Sequence, residues 1–368
     1  MVGRAFSRVP AVIRTLETAQ RFPVAGYDEV LAVDGAALAT APLDPERGVL
    51  TLYRGDAEGL LVGRYHLVPP SVSGIDGPVR VARRRTGGRV VPFGPGFLGL
   101  SLVLPHRAAL VADDWRALAP EQVMNRCVRG VLGGLRACGV PAFYPGRDLI
   151  TVGGRALGMT TFEVTGTGAL LFEACLALNA DLAVTPRLLD RLDAAGVIKT
   201  AMVSPSEVTT VARAAGRSVD AATLAMRIVS SYADVFGLTI VDAQGEAPPG
   251  ARPQAGDRAW LRSRTPRDAL DRRALRRVQL GLLEVHCARH GDRLGDVMLS
   301  GDFLANAVAI ERLERRLEGL PCEWAAVSAC VFEEFGQPEN FLLGVGDLSV
   351  VADLVCDAVG APARRAPR

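Results

Sequence analysis

Residues 149–161, LITVGGRALGMTT, constrain the fold of this chain more than any other stretch. Two apolar runs flank Gly153-Gly154, and a Gly-Gly pair supplies the positive backbone angles that a tight hairpin turn demands. The pattern predicts a strand over 149–152 paired with one over 156–161. Shorter apolar runs predict strands over 49–53, 59–63, 99–104 and 169–178. Periodic apolar residues predict helices over 27–39, 120–138, 185–194 and 220–236, the last with Ser218 as N-cap. In 120–138 the apolar positions are 123, 124, 127, 128, 131, 132 and 135, which is helical spacing. A short amphipathic helix is expected over 8–19. Hairpins beside helices indicate an α+β fold with a mixed, mainly antiparallel sheet and flanking helices, rather than the alternating βα order of a Rossmann domain.

Composition breaks over 243–267, AQGEAPPGARPQAGDRAWLRSRTPR, which is rich in Pro, Gly and Arg and poor in periodic apolar residues. It is read as a linker between a domain over 1–242 and a small α/β accessory domain over 268–368. In the latter, strands over 282–288 and 293–299 frame a His290-Gly291-Asp292 turn. A helix over 307–319 follows, with Asn306 as N-cap and Gly319-Leu320-Pro321 as its stop. The arginines of 272–277 have helical spacing and suit a solvated face, and 362–368 reads as a disordered tail.

At 368 residues with 49% hydrophobic and 22% charged side chains, the chain suits an ordinary soluble protein. No apolar run reaches about 18 residues, so no membrane span is expected. A net charge of +2 argues against nucleic-acid binding. The first residues carry no sustained apolar core with a cleavage site, and Cys127, Cys138, Cys175, Cys287, Cys322, Cys330 and Cys356 form no C-x-x-C pair. Reduced thiols and a cytoplasmic location are therefore expected. The four histidines show no transition-metal pattern. Of the 42 Lys and Arg residues, only Lys199 is a lysine.

Two fragments carry chemistry. In 83–96, RRRTGGRVVPFGPG, three arginines adjoin a glycine turn between apolar residues. Glycines let backbone approach a ligand and guanidinium groups bind carboxylates and phosphates in bidentate fashion, so the stretch suits an anionic small molecule. It equally suits a basic hairpin. About fifty residues on comes 146–158, GRDLITVGGRALG.

Together these fragments resemble the lipoate–protein ligase family, related in fold to the biotin–protein ligases. Arg83, Arg84, Thr86, Gly87, Gly88, Val91 and Gly96 match its R-R-x-[ST]-G-G-G-A-V-x-H-D-x-G-N motif, and residues 146–158 match its G-R-N-D-L-V-V-x-x-R-K-x-S-G motif. LLVGRYH (60–66), Asn125-Arg126, Leu178-Asn179-Ala180-Asp181-Leu182, Gly281 to Val285 and Ser300-Gly301-Asp302-Phe303 follow the family order over most of the chain.

The resemblance implies a ligase that uses ATP and Mg²⁺ to activate lipoate or a related carboxylic acid as an acyl-adenylate. The acyl group then passes to an amine, typically a lysine of a carrier domain. It implies Arg155 and Asp148 as catalytic residues, with Asp148 also a Mg²⁺ ligand. It implies Arg83, Arg84, Thr86, Gly87, Gly88, Arg89, Val91, Arg147, Gly158 and Asn179 as substrate or adenylate contacts. Asp148 equally suits a turn aspartate ahead of a strand.

The chain departs from the motifs in several places. Arg155 stands for the family's lysine, Arg147 for the Asn before Asp148, and Leu157 for a serine. Arg89 replaces the third glycine, Phe93-Gly94 the H-D pair and Gly96-Phe97 the G-N pair. Arginine keeps the charge of the lysine but does not readily give up a proton. Two alternatives stay open: an ATP-independent acyltransferase with Cys175 as nucleophile, and a non-catalytic binding homologue. As a free cysteine in an apolar strand, Cys175 also suits a purely structural role.

Overall fold

A computed structural model of the chain describes residues 12–24, 26–72, 74, 77, 79–111, 119–243 and 259–361. Two compact units form. The first takes Met1–Ala57, Phe93–Leu182 and Pro205–Arg252, and the second takes Glu58–Pro92, Ala183–Ser204 and Pro253–Arg368. This grouping differs from the linear division expected from composition. The C-terminal segment joins residues 58–92 and 183–204, so the Gly-rich fragment shares a unit with it. Residues 244–258 of the expected linker, like the tail over 362–368, lie outside the described residues.

The strands in chain order are β1 (Thr15–Val24), β2 (Arg47–Gly55), β3 (Gly59–Val62), β4 (Arg80–Arg83), β5 (Val91–Phe93), β6 (Phe97–Leu104), β7 (Leu149–Val152), β8 (Arg155–Val164), β9 (Leu170–Ala177) and β10 (Thr239–Asp242). The C-terminal segment adds β11 (Arg272–Arg277), β12 (Leu282–His290) and β13 (Arg293–Gly301). The helices used below are α1 (Tyr27–Thr40), α2 (Pro120–Ala137), α3 (Val184–Leu192), α4 (Val211–Ala215), α5 (Ala221–Phe236) and α6 (Ala307–Leu317).

The first unit is built on a seven-stranded sheet of order β10-β1-β2-β6-β9-β8-β7. β1 runs parallel to both its neighbours, and every other pair is antiparallel. The mixed, mainly antiparallel sheet expected from the hairpin signals is present. Its middle strands β6 and β9 are buried along their whole length, so they read as continuous apolar runs. Helices α2 and α5 pack closely because glycines of α2 face α5. A Cβ on Gly134 would stand 2.5 Å from Ile228 Cγ1 and 2.7 Å from that residue's Cα and N. Gly134→Ala should therefore destabilise the protein by about 1–3 kcal/mol through overpacking. The gain in helix propensity, about 1 kcal/mol, offsets only part of this. A rise in the urea midpoint would show that the helices separate without cost.

Several local expectations are corrected. Residues 15–24 are strand rather than the end of a helix over 8–19, and residues 1–11 lie outside the described residues. Pairing with β2 and β10 on either side supplies a ladder that a short amphipathic helix lacks. Residues 272–277 are an edge strand, not a helical face; β11 pairs with β12 and its outer residues stay exposed. The Gly-rich fragment is not a hairpin, because β4 and β5 lie on opposite sides of β3, with β3 and β4 parallel. The N-cap of α5 is Asp220, whose carboxylate accepts the Thr223 N–H at 2.9 Å, not Ser218.

In the second unit β3 and β4 pack on α3. Leu60, Val62, Val81 and Val90 meet Leu188, Leu189, Ile198 and Leu261 in one apolar cluster. The strands β11, β12 and β13 form a separate antiparallel sheet whose buried face packs on α6. Among the described residues no helix is long and apolar enough to cross a membrane.

Candidate active site

The Gly-rich fragment forms the loop from β4 to β5 in the second unit. Arg83, the last residue of β4, is fully buried. Its Nε donates to Leu261 O at 3.0 Å, and Nη2 donates to Leu261 O and Arg264 O at 2.8 and 3.2 Å. Nη1 donates to the carbonyls of Gly63, Arg64 and His66 at 3.2, 2.7 and 2.8 Å. Burial first, then the neighbouring Arg264 and Arg64, pull its pKa down to about 9, so it stays charged at neutral pH. All three nitrogens therefore serve the backbone.

Arg84 is also buried. Its Nη2 donates to Gly87 O at 2.9 Å and Arg89 O at 2.7 Å, so it grips the turn from inside. Thr86 is buried, and its carbonyl accepts the Arg64 N–H at 2.8 Å. Gly88 has φ +82° and donates its N–H to Phe303 O at 2.9 Å. A Cβ on Gly87 would overlap that same carbonyl. Gly87 is thus required by packing against Phe303, and Gly88 by its left-handed backbone angle. Val91 is buried, whereas Arg85 and Arg89 are half-buried. Arg89 Nη1 reaches Ala201 O at 3.5 Å.

Behind the loop lies a residue to which the sequence assigned no site role. Asp302 is fully buried and accepts from Thr200 Oγ1 (2.6 Å), Ala201 N (2.7 Å), Leu282 N (2.9 Å) and His66 Nε2 (3.1 Å). Thr200 Oγ1 in turn accepts the Val90 N–H at 3.2 Å. The sequence signals for this network were the family-order fragments LLVGRYH, which ends in His66, Gly281 to Val285, and Ser300-Gly301-Asp302-Phe303.

The first unit carries the other fragment. Gly153 and Gly154 have φ +56° and +78°, as the turn requires, and β7 and β8 pair as expected. Arg155 opens β8 and is exposed. Asp148 lies at the far end of the hairpin, where its carbonyl accepts the Thr160 N–H at 2.7 Å. Five residues of strand at about 3.3 Å each separate Thr160 from Arg155, so Arg155 and Asp148 stand roughly 16 Å apart. The hairpin does not bring them together.

Asp148 is buried, near Tyr144, whose hydroxyl donates to Arg147 O. Burial, and then the Asp148 charge, push the Tyr144 pKa up. The Arg147 side chain is exposed. Gly158 is dictated by the sheet, since a Cβ there would stand 2.6 Å from Cys175 O. Leu178 N and Asn179 N both donate to Gly96 O, at 2.9 and 3.3 Å, so two separate motif fragments meet here; Asn179 is exposed. Phe93 joins Tyr27 and Tyr53, with ring centroids 6.0 and 6.2 Å from its own. The Tyr27 hydroxyl donates to Glu173 in the core, and burial followed by that carboxylate raises its pKa well above normal.

Cys175 sits on β9 between β6 and β8 and is 8% exposed. All seven cysteines are buried, and none forms a disulfide. Burial pushes Cys127 up to about 12 and Cys287 and Cys356 to about 11, which marks those three as inert thiols. Among the described residues, no group of three or more His, Cys, Asp or Glu side chains is placed to hold a metal.

Residues 27–233 match the lipoyl protein ligase A/B catalytic domain. Among solved structures, P. falciparum LipL1 in complex with lipoate superposes with a TM-score of 0.66 at 13% identity, covering 93% of this chain and 99% of that one. A bipartite lipoate protein ligase with its E2 lipoyl domain, from Thermoplasma acidophilum, gives a TM-score of 0.49 at 16% identity over 70% of this chain and 99% of that one. No curated protein matches by sequence. The likeness to LipL1 establishes the fold, and the match over more than half the chain establishes the family. The chain belongs to the lipoyl protein ligase A/B catalytic-domain family.

Proposed function

We propose that this protein is an ATP-dependent ligase that activates lipoate or a related small carboxylic acid as its acyl-adenylate and passes the acyl group to an amine, a carrier-domain lysine. The observation that carries this reading is the family match over 27–233, which takes in both the Gly-rich loop and the β7–β8 hairpin. The LipL1 structure of the same fold contains lipoate, which makes lipoate the first acid to test. In the proposed reaction a carboxylate oxygen attacks the α-phosphorus of ATP and pyrophosphate leaves. The amine then attacks the acyl carbon and AMP leaves.

Division of labour among the cations follows their exposure. Arg83 and Arg84 hold the loop in shape, while the half-buried Arg89 and the exposed Arg147 and Arg155 are the groups that can meet phosphate or acyl oxygens. Mg²⁺ commonly takes one or two protein carboxylates and fills its remaining positions with phosphate and water, so a single Asp148 is compatible with it. Asp148 would supply one oxygen, and the ion would neutralise phosphate charge. Cys175 is not favoured as a nucleophile, because it lies within the sheet.

ATP–pyrophosphate exchange, screened over lipoate, octanoate, biotin and other small acids, tests the reading. Exchange that depends on one of these acids is expected, and no exchange with any of them overturns it. In single-turnover transfer from preformed adenylate, Arg155→Met should lose about a hundredfold, the usual weight of one electrostatic contact to a developing oxyanion. Arg155→Lys should keep part of the rate. Equal rates for all three proteins would remove Arg155 from the chemistry.

A further inference from the structure

The one lysine of the chain stands on a segment fastened directly to the Gly-rich loop. On one side of Lys199, Ile198 is buried and its N–H donates to Asp193 Oδ2 at 2.5 Å. On the other side, Thr200 and Ala201 N are held by Asp302 at 2.6 and 2.7 Å. The same two residues bind the loop: Thr200 Oγ1 accepts from Val90 N at 3.2 Å, and Ala201 O accepts from Arg89 Nη1 at 3.5 Å. The backbone of residue 199 is therefore fixed relative to Arg89 and Val90, while its own side chain is only half-buried. Nζ lies beside Gly196, where an added Cβ would stand 3.7 Å from it.

Composition does not account for a lysine here, because every other member of the 42 Lys and Arg residues is an arginine. The two differ physically. Arginine offers a rigid planar fork, whereas lysine carries a compact charge with three donors on a flexible stem. A fixed backbone with a flexible ammonium suits a cation that must follow an anion whose position changes during reaction. Arg83 and Arg84 are poorly suited to this, since both are engaged with backbone carbonyls.

We propose that Lys199 is the cation that the Gly-rich loop presents to the anionic phosphate of an acyl-adenylate, with the Thr200–Asp302 clamp setting its position. This rests on the adenylate-forming reading above. The chain's own composition makes it testable, because an amine-selective reagent has only Lys199 and the N-terminal amine to modify. The full-length protein is acetylated with the N-hydroxysuccinimide ester of acetate, and the Lys199 peptide is followed by mass spectrometry with and without lipoyl-sulfamoyl-adenosine, a non-hydrolysable analogue of the adenylate.

The analogue should slow acetylation of Lys199 and leave the N-terminal amine unaffected. Lys199→Met should bind it about ten- to a hundredfold more weakly in calorimetry, as expected for loss of one charge-assisted contact, with an unchanged melting temperature. Lys199→Arg should recover part of the affinity. If the unmodified protein binds the analogue but acetylation is unaffected and Lys199→Met binds equally well, Lys199 is excluded while the ligase reading stands. If the unmodified protein neither binds the analogue nor exchanges pyrophosphate with any acid, the ligase reading falls and this proposal falls with it.

Discussion

Arg83→Met should destabilise the second unit by about 3–5 kcal/mol, the range seen when one partner of a buried charged network is removed. The guanidinium is buried and joins five backbone carbonyls from two distant stretches, 63–66 and 261–264. Methionine fills much of the same volume but leaves those carbonyls without their donor, each at a cost of about 1–3 kcal/mol before relaxation. Lysine should fare little better, because three protons on one nitrogen cannot replace a five-donor fork. Urea unfolding followed by tryptophan fluorescence reports on the region, since Trp260 Nε1 donates to Arg83 O at 2.9 Å. A loss below about 1 kcal/mol would mean that water replaces the guanidinium and that the network is not what holds the loop.

Asp302→Ala should cost roughly as much, about 3–5 kcal/mol, and its effect should reach the loop. Removing the carboxylate leaves two backbone N–H groups, the Thr200 hydroxyl and the His66 ring without their acceptor. Asparagine keeps one oxygen but turns donors toward donors, so Asp302→Asn should also lose stability, by less. Amide hydrogen exchange gives the site-specific readout. The amides of Ala201 and Leu282 should exchange faster in both variants, followed by that of Val90, which is tied to Thr200. Unchanged protection at Val90 would show that the loop is held without the Asp302 clamp.

Parts of the candidate site were legible because they are local. Gly153-Gly154 needs no partner to announce a turn, and the apolar spacing of 120–138 predicts α2 to within one residue. The Gly-rich motif was visible as charge next to glycine. The direction of that charge was not. Arg83 and Arg84 turn inward because carbonyls lie within reach there, and Gly87 is required by Phe303, more than two hundred residues away in sequence. Asp302 shows the same limit: a carboxylate surrounded by four donors from three stretches of chain has no local signature.

The sequence by itself determined the α+β class, the hairpin, most helix positions and the family-bearing motifs, all of which depend on periodicity or on backbone angles that neighbouring residues set. Only the tertiary structure decided that 15–24 and 272–277 are strands, because edge and parallel pairing reward residues through partners far along the chain. It alone decided that β4 and β5 flank β3, that the C-terminal segment shares a unit with the Gly-rich loop, and that Arg155 and Asp148 sit at opposite ends of one hairpin. The physical reason is common to all of them. A long, charged side chain or a short apolar run has several acceptable local states, and burial against distant backbone selects one.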